Sequence, residues 1–364
     1  MLKKHYPALD GLRGLAALAV FLLHYGGGAQ SSSRIVRAIA AVLSFGWTGV
    51  DLFFVLSGFL ITGILLDTRL DPNYYQNFYA RRTLRILPPY LVVWGGLLAV
   101  TPWTHAEWHW SSLAYFAYIG NPLQYIFTTW KWPFALDHTW SLSVEEQFYA
   151  IWATVVRRTS GRTLLIAIAC ISFIAFVLRV AVFALHLNSQ IAYAVLFCRA
   201  DSLTMGAALA VLIRLGWSAL VSRAAPYAVI IGGISVATMC LLRSSTSAVD
   251  VWIATLGYTL IAFTCAGLVA WSLVSGSPAE ILFSWSWLRE LGRLSYGFYL
   301  YHVPIQEGLR PMIPLIQAHT SFALGGLLYV VFGFGLNLLV AHLSYHYLES
   351  RILKLKRFFE PVRG

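Results

Sequence analysis

The sequence contains few charged residues and few cysteines. Lysine, arginine, aspartate and glutamate make up 11% of its 364 residues, while 59% are hydrophobic and the mean hydropathy is +0.69. A soluble domain carries about 25% charged residues. Such a chain cannot fold around one apolar core beneath a polar surface, so its main solvent must be lipid. The four cysteines lie in apolar runs without C-x-x-C or metal-ligand spacing, which indicates neither a disulfide framework nor a metal site.

Acidic residues are scarce as well, because 15 Asp and Glu stand against 26 Lys and Arg, a net charge of +11. No basic amphipathic or recognition-helix pattern accompanies this surplus, so nucleic acid is not an expected partner. The positive charges concentrate in alternate segments between the apolar runs, which is typical of cytoplasmic loops. No small-residue cleavage site follows Lys3 and Lys4, so the first run is interpreted as a retained span. Both termini are therefore predicted to be cytoplasmic.

Apolar runs of about 20 residues, enough to cross a bilayer as a helix, recur along the chain. We predict an all-α, polytopic bundle of about ten transmembrane helices, which forms one domain over residues 1–364 in the cytoplasmic (inner) membrane. The candidate spans lie near residues 10–28, 47–66, 84–101, 139–156, 163–185, 191–213, 224–242, 250–274, 293–315 and 321–347. The segment 101–137 is too polar to span. Its tryptophans fit an interfacial aromatic belt or a surface that stacks on carbohydrate; they are Trp103, Trp108, Trp110, Trp130 and Trp132.

Ionisable residues inside the apolar runs are costly and often functional, although each could instead belong to a structural pair. Arg199 and Asp201 are two residues apart, so they cannot face each other on a helix and each needs another partner. The whole set is His24, Asp51, Glu145, Glu146, Arg179, Arg199, Asp201, His302, His342 and His346.

The first run, "LDGLRGLAALAVFLLHYGGG", carries Arg13 near its start and His24 near its end. Eleven residues are close to three helical turns, so both side chains point to the same side, roughly 16–17 Å apart. A histidine there suits a general base, because its pKa lies near neutrality. A histidine that only bonds a neighbouring helix is the alternative.

Three further stretches carry polar groups at the edges of spans. In "GVDLFFVLSGFLITGILL", Gly58 permits either a close helix contact or a kink, and the stretch is not a G-x-S-x-G elbow. In "NFYARRTLRILPPY", Arg81, Arg82 and Arg85 suit the phosphates of a nucleotide or coenzyme, or they are ordinary positive-inside residues. In "DHTWSLSVEEQFY", Glu145 shares a helix face with polar neighbours, where it orients a base, binds sugar hydroxyls or joins a structural network.

These stretches together resemble the membrane-bound acyltransferase-3 family, the polytopic O-acyltransferases of bacterial surface glycans. The resemblance runs in order along most of the chain. It rests on "LDGLRG" with Arg13-x10-His24, "GVDLFFVLSGFLIT", "FYARRTLRILPPY", "TWSLSVEEQFY", "CRADSLTMGAALA", "LSYGFYLYHVP" and "YHYLES".

The resemblance implies a ten-helix core, a cytosolic acyl-CoA donor that is most often acetyl-CoA, and a hydroxyl acceptor on a glycan or glycolipid. It makes His24 the essential histidine, as general base or acyl carrier, and Arg13 its paired arginine, with Asp10 of the same "LDGLRG" element as a further catalytic candidate. Glu145 matches the acid of the family's S-L-x-x-E element. Coenzyme binding is assigned to Ser57, Phe59, Arg82 and Arg85, to which we add Arg81. Other candidates by resemblance are Arg199, Asp201 and His302, and Asp51, an ionisable residue within an apolar run, is a further candidate.

Some family members carry a fused extracytoplasmic hydrolase-like domain. We expect none in this chain, which would then complete the transfer alone or pass the acyl group to a separate extracytoplasmic partner. Two other classes of membrane protein remain open from the residues themselves. A transporter or flippase for a polar solute or glycan would also have ten spans and buried charges, and a glycan polymerase or ligase is polytopic too. Release of CoA distinguishes the acyltransferase from both.

Overall fold

The computed structural model describes residues 5–27, 33–104, 108, 110–126 and 134–360, and within these ranges the chain is helical and contains no β-strand. The prediction of an all-α fold is confirmed. Ten long helices in the described residues carry the architecture: α1 Pro7–Gly26, α2 Thr48–Asp67, α3 Tyr74–Thr104, α4 Trp140–Arg158, α5 Gly161–Ala184, α6 Leu196–Arg214, α7 Ser218–Arg243, α8 Tyr258–Ser272, α9 Ser286–Leu309 and α10 Phe322–Ser344.

Shorter helical pieces connect the long helices. The α-helical ones are Arg34–Ser44, Gly120–Ile126, Gln190–Ala194, Pro278–Phe283, Met312–His319 and Ser350–Leu353. The 3₁₀ pieces are Phe45–Trp47, Trp110–Tyr115, Phe134–Thr139 and Lys354–Phe359, and the π-helical pieces are Ile253–Gly257 and Tyr345–Glu349. The segment 101–137, predicted not to span, contains only the end of α3 and short pieces of this kind in its described part.

Eight helical segments of the described chain are long and apolar enough to cross a membrane, judged by length and composition alone. They include every long helix except α4 and α9, which have 19 and 24 residues but are more polar. The predicted number of about ten spans therefore counts two helices that composition alone does not support. Their polar residues include buried ones, among them Ser141 and Ser143 on α4 and Ser295 and His302 on α9, so these two helices put polar groups into the bundle interior.

Close contacts between backbones bring the central helices together. α1 packs along α9, and α2 packs along α6. A methyl group at Gly58 would overlap the carbonyl of Leu203, and one at Gly206 would overlap the carbonyl of Val55, so α2 and α6 can meet only through glycine. Gly58 thus permits a close helix contact, the first of the two interpretations that the sequence allowed.

The described helix boundaries differ most from the prediction at the third helix. α3 begins at Tyr74, ten residues before the expected start of that span, so its first turns carry the arginine cluster. At the other end of the chain, the segment Lys354–Phe359 packs against α3. The beginning of α1, the beginning of α3 and the C-terminal segment therefore meet at one end of the bundle.

Candidate active site

A cavity of about 470 Å³ opens at this end of the bundle, within the range of about 300–1,000 Å³ that is usual for ligand sites. Five helices and the C-terminal segment surround it. α1 contributes Arg13; α2 contributes Phe53, Phe54, Ser57, Leu60, Ile61, Ile64 and Asp67; α3 contributes Tyr74, Asn77, Phe78, Arg81, Arg82, Arg85 and Ile86; α4 contributes Ser141, Leu142 and Glu145; α9 contributes Ser295, Tyr296 and Tyr299; Thr68 and Lys356 complete the lining.

Five basic side chains line this cavity: Arg13, Arg81, Arg82, Arg85 and Lys356. We call them the open basic cluster. The three α3 arginines lie within one helical turn of one another, so the helix presents them together. Among the described residues only two carboxylates, those of Asp67 on α2 and Glu145 on α4, line the same cavity. The cavity therefore has an excess of positive charge, which suits an anionic ligand.

The partners of these five cations leave much of their charge uncompensated. Arg13 donates to Asp10 at 3.2 Å. Arg82 lies 3.8 Å from a carboxylate oxygen of Glu146 and stacks over the Tyr149 ring at 3.7 Å. The other three have no ion pair or hydrogen bond with any described residue; they are Arg81, Arg85 and Lys356.

Asp10 does not line the cavity. Its carboxylate is held between Arg13 and the ring of His5, whose Nε2 lies 2.7 Å from it. The side chain of Asp10 is 24% exposed and that of His5 is 64% exposed. Asp10 is therefore placed to orient Arg13, and it is not in contact with whatever occupies the cavity.

Ser57 and Glu145 meet across the cavity wall. The hydroxyl of Ser57 on α2 donates to the Glu145 carboxylate on α4 at 2.7 Å. Both side chains line the cavity, so the structure brings together two residues that the sequence places 88 positions apart. Phe59 does not join them, because its side chain is 5% exposed and packs in the main hydrophobic core.

Two aromatic rings, those of Phe53 on α2 and Tyr299 on α9, line the cavity with their centroids 5.9 Å apart. The Tyr299 hydroxyl donates to the carbonyl of His138 at 2.8 Å. Since a phenol has one proton to donate, the hydroxyl of Ser141, 2.7 Å away, must donate to the Tyr299 oxygen. These bonds fix the position of the Tyr299 ring in the cavity wall.

Two histidines pair immediately beyond Tyr299. Nδ1 of His302 contacts the backbone carbonyl of Tyr299, which only accepts, so this nitrogen carries the proton in a neutral ring. Nε2 of His302 lies 3.2 Å from Nδ1 of His24, which also contacts the carbonyl of Val20 at 2.9 Å. We therefore assign the proton of neutral His24 to Nδ1. Its Nε2 then has a free lone pair and no hydrogen-bond partner among the described residues.

This pair is separate from the cavity in the described structure. Arg13 lines the cavity, whereas His24, about three turns further along α1, does not. His302 is buried and His24 is half-buried. Tyr299 links the two, because its side chain lines the cavity and its backbone carbonyl contacts His302.

The remaining candidates lie elsewhere, in a fully buried network among α2, α5, α6 and α8. Arg199 donates to Asp51 at 2.6 Å, and Arg179 donates to Asp201 at 2.8 Å. All four side chains are 0% exposed. We call them the closed ion-pair cluster. Each partner comes from another helix, as the spacing of Arg199 and Asp201 required, and none of the four lines the cavity.

The tryptophans of segment 101–137 differ in how far they are packed or exposed. Trp108 donates to the Thr101 hydroxyl at 2.7 Å and packs on the Trp94 ring, whereas Trp103 is 78% exposed. Trp130, Trp132 and the side chain of Trp110 lie outside the described part of the chain. No cluster of three or more metal-ligating side chains occurs in the described ranges.

Several site residues were not identified from the sequence. Tyr299 lies one turn before His302 on α9, and this spacing could have linked the cavity to the histidine. His138 stands in "DHTW", and its ring centroid lies 5.1 Å from that of His302. Gln306, a further turn along α9, donates to the carbonyl of His24. Lys356 belongs to a basic tail that resembles an anchor for lipid headgroups, and nothing local distinguishes it from its neighbours.

Sequence comparison relates this chain to known proteins. The chain matches the acyltransferase domain family Acyl_transf_3 over residues 6–346. It is 28% identical to the peptidoglycan O-acetyltransferase OatA of Listeria monocytogenes, over 97% of this chain and 56% of that protein. It is 30% identical to the putative peptidoglycan O-acetyltransferase YrhL of Bacillus subtilis, over 96% and 55%, and 27% identical to the O-acetyltransferase OatA of Staphylococcus aureus, over 96% and 58%. The chain thus spans little more than half the length of these relatives. No solved structure matches it.

Proposed function

Because the chain belongs to the membrane-bound acyltransferase-3 family, we propose that it is an O-acetyltransferase, which moves an acetyl group from acetyl-CoA to a hydroxyl of a glycan or glycolipid. The open basic cluster is the observation that carries this proposal. Three of its five cations form no ion pair or hydrogen bond with a described residue, and coenzyme A offers several phosphate groups. Arginine binds phosphate in paired, directional hydrogen bonds, which suits the three arginines on one turn of α3.

The donor enters with its phosphates on the open basic cluster and its thioester toward Tyr299. CoA is a cytosolic compound, so this end of the bundle and both chain termini face the cytoplasm. The narrow, largely apolar wall formed by Phe53, Phe54 and Leu60 accommodates the pantetheine arm. Movement of Phe53 or Tyr299 then brings the thioester carbonyl to His24.

His24 performs the chemistry through Nε2. As a general base, Nε2 takes the proton of the acceptor hydroxyl while the hydroxyl oxygen attacks the thioester carbonyl; the C–S bond breaks and the CoA sulfur leaves with a proton. As an acyl carrier, Nε2 itself attacks the carbonyl, CoA leaves, and the acceptor hydroxyl removes the acetyl group in a second step. His302 keeps the Nδ1 proton of His24 engaged in either case, which directs the Nε2 lone pair outward.

The acceptor is a carbohydrate hydroxyl. The relatives' names assign peptidoglycan to two of the proteins above, and the proposal extends a glycan of this kind to this chain. Transfer is direct, or it proceeds through a separate extracytoplasmic acyltransferase. Surrounding membrane lipid holds the bundle and a lipid-linked acceptor in the same plane.

The test uses membranes that contain the native chain, His24→Ala or His342→Ala. His342 is an exposed histidine on α10 that takes no part in the site, so it controls for loss of any histidine. With radiolabelled acetyl-CoA, the native chain and His342→Ala should release CoA and label a glycan fraction, and His24→Ala should do neither. Equal labelling by His24→Ala at equal folded amounts would contradict the role of His24. A folded native chain that releases no CoA in the presence of host glycans would contradict the acetyltransferase.

Withholding the acceptor separates the two roles of His24. An acyl carrier should give one burst of CoA per chain without acceptor, together with label that stays on the protein. A general base should give neither, because no hydroxyl is present to accept the acetyl group.

A further inference from the structure

We propose that Lys356, in the C-terminal segment, is a donor-binding residue that contacts a phosphate group of the coenzyme. The inference rests on the proposed function and adds to it a residue outside the stretch matched to the family, which ends at residue 346. It also assigns a role to a segment that the sequence marks only as a basic tail.

The C-terminal segment continues from α10 and packs beside the cavity. α10 continues beyond Ser344 as the π-helix Tyr345–Glu349 and then as Ser350–Leu353 and Lys354–Phe359. The junction is fixed by the hydroxyl of Ser344, which donates to Glu349 at 3.1 Å and lies 2.8 Å from the hydroxyl of Tyr301 on α9. The segment then packs against α3, the helix that bears the three arginines.

Lys356 differs from the basic residues around it. Its side chain is half-buried and lines the cavity, whereas Lys354 and Arg357 are exposed and do not. Arg357 instead stacks on the ring of Phe358 at 4.8 Å. Contact with lipid headgroups alone does not explain why this one lysine of the segment points into the cavity, beside arginines.

The charges around Lys356 favour an anion between them. Its ammonium group interacts electrostatically with Arg13, Arg81, Arg82 and Arg85, all of the same sign. No described carboxylate forms an ion pair with it. Holding like charges together at a partly buried site is unfavourable unless a counter-charge binds there. A phosphate group satisfies this requirement, and lysine binds phosphate as a compact point charge from a direction that the α3 arginines do not occupy.

Coenzyme A offers phosphates at two places, the diphosphate and the 3′-phosphate of the ribose. The three α3 arginines form a clustered surface that suits the diphosphate. Lys356 approaches from the opposite element, the C-terminal segment, and its single charge suits one further phosphate. A donor series therefore identifies the group that Lys356 contacts.

The experiment compares the purified full-length native chain with Lys356→Gln, Lys356→Arg and the matched control Lys354→Gln, which removes an exposed lysine two residues away. Each is given three donors: acetyl-CoA, acetyl-dephospho-CoA, which lacks the 3′-phosphate, and acetyl-pantetheine. Acetyl-pantetheine keeps the acyl-bearing arm of the coenzyme but lacks all of its phosphates. Loss of one charge-assisted contact should raise the KM for acetyl-CoA about tenfold in Lys356→Gln. The kcat should change little, Lys356→Arg should recover most of the affinity, and Lys354→Gln should behave as the native chain.

The three donors together show which phosphate group Lys356 contacts. Lys356→Gln and the native chain should have the same KM for acetyl-pantetheine. If Lys356 contacts the 3′-phosphate, they should also agree on acetyl-dephospho-CoA, whereas a contact with the diphosphate should preserve the tenfold difference there. An unchanged KM for acetyl-CoA in Lys356→Gln, or an equal rise for acetyl-pantetheine, would overturn the proposal.

Equilibrium binding of CoA separates this proposal from the function on which it rests. A native chain that binds no CoA contradicts the proposed donor and, with it, the role of Lys356. If the native chain and Lys356→Gln bind CoA equally tightly, the result contradicts the role of Lys356 but leaves the proposed donor standing. Should Lys356→Gln fail to fold, Lys356→Met removes the charge while keeping the length of the side chain for the same comparison.

Discussion

Two groups of arginines in this protein have opposite environments. In the closed ion-pair cluster, Arg179 and Arg199 are fully buried and each binds an aspartate on another helix. In the open basic cluster, Arg81 and Arg85 line a cavity and pair with no described residue. Buried charge that is fully paired holds helices together, while charge that is left unpaired at a cavity is available to a ligand. Pairing therefore distinguishes arginines that hold helices together from arginines that stay open to a ligand, although the residue type does not.

The closed cluster should respond most strongly to a change of one member. Asp51→Asn leaves the Arg199 charge buried without its counter-charge, which should cost about 3–5 kcal/mol. We expect a large fall in the thermal unfolding midpoint in detergent, or loss of the folded fraction. Glu290→Gln is the matched control, because Glu290 pairs with Arg293 at an exposed position on α9 and its loss should cost about 1 kcal/mol or less.

Asp51→Leu combined with Arg199→Met removes both charges together. The double variant should recover most of the stability that Asp51→Asn loses, because no charge then stays buried alone. A double variant less stable than Asp51→Asn would show that the ion pair itself, and not the isolated charge, sets the cost.

The open cluster should respond in the opposite way. Arg85→Gln should leave the unfolding midpoint near the native value, because Arg85 forms no ion pair or hydrogen bond with a described residue and is attracted to Glu349 only at longer range. Its KM for acetyl-CoA should rise about tenfold, as expected for the loss of one charge-assisted contact. Arg158→Gln, which removes an exposed arginine on α4 outside the cavity, should change neither quantity. If Arg85→Gln unfolded the protein and left KM unchanged, the contrast between the two clusters would fail.

The contact between Ser57 and Glu145 should give the smallest effect. Ser57→Ala removes the hydroxyl that donates to the Glu145 side chain, a hydrogen bond whose loss costs roughly 1 kcal/mol. We expect a threefold to tenfold lower kcat/KM with a nearly native unfolding midpoint. Ser143→Ala is the control, since Ser143 is buried on the same helix as Glu145 but does not line the cavity. Unchanged kinetics in Ser57→Ala would remove this contact from the mechanism.

Much of the fold could be predicted from the apolar runs, because each long run must bury or expose its surface to lipid as a helix. The difficulties of prediction from hydropathy lie in the helices that carry the site. α3 starts ten residues early because Asn77 and the arginines face the cavity, and hydropathy alone interprets such residues as a loop. α4 and α9 were both predicted as spans, but their polar residues keep them below a threshold of length and composition alone.

The site was only partly predictable. Arg82 and Arg85 are three residues apart, a spacing that predicts a shared helix face, and the structure puts both side chains in the cavity lining. Spacing could not show that Arg13 lines the cavity while His24 lies beyond Tyr299, because that boundary is formed by a residue of another helix. The position of Lys356 in the cavity lining could not be predicted for the same physical reason, because it depends on packing against α3 and not on the local sequence.

The most direct test of the account is a cryo-EM map of the full chain with acetyl-CoA bound. The account predicts coenzyme phosphates against Arg81, Arg82, Arg85 and Lys356, with the acetyl end directed past Tyr299 toward Nε2 of His24. It also predicts no coenzyme at the closed ion-pair cluster. Coenzyme bound outside the cavity, or bound in the cavity with its phosphates away from the basic cluster, would contradict it.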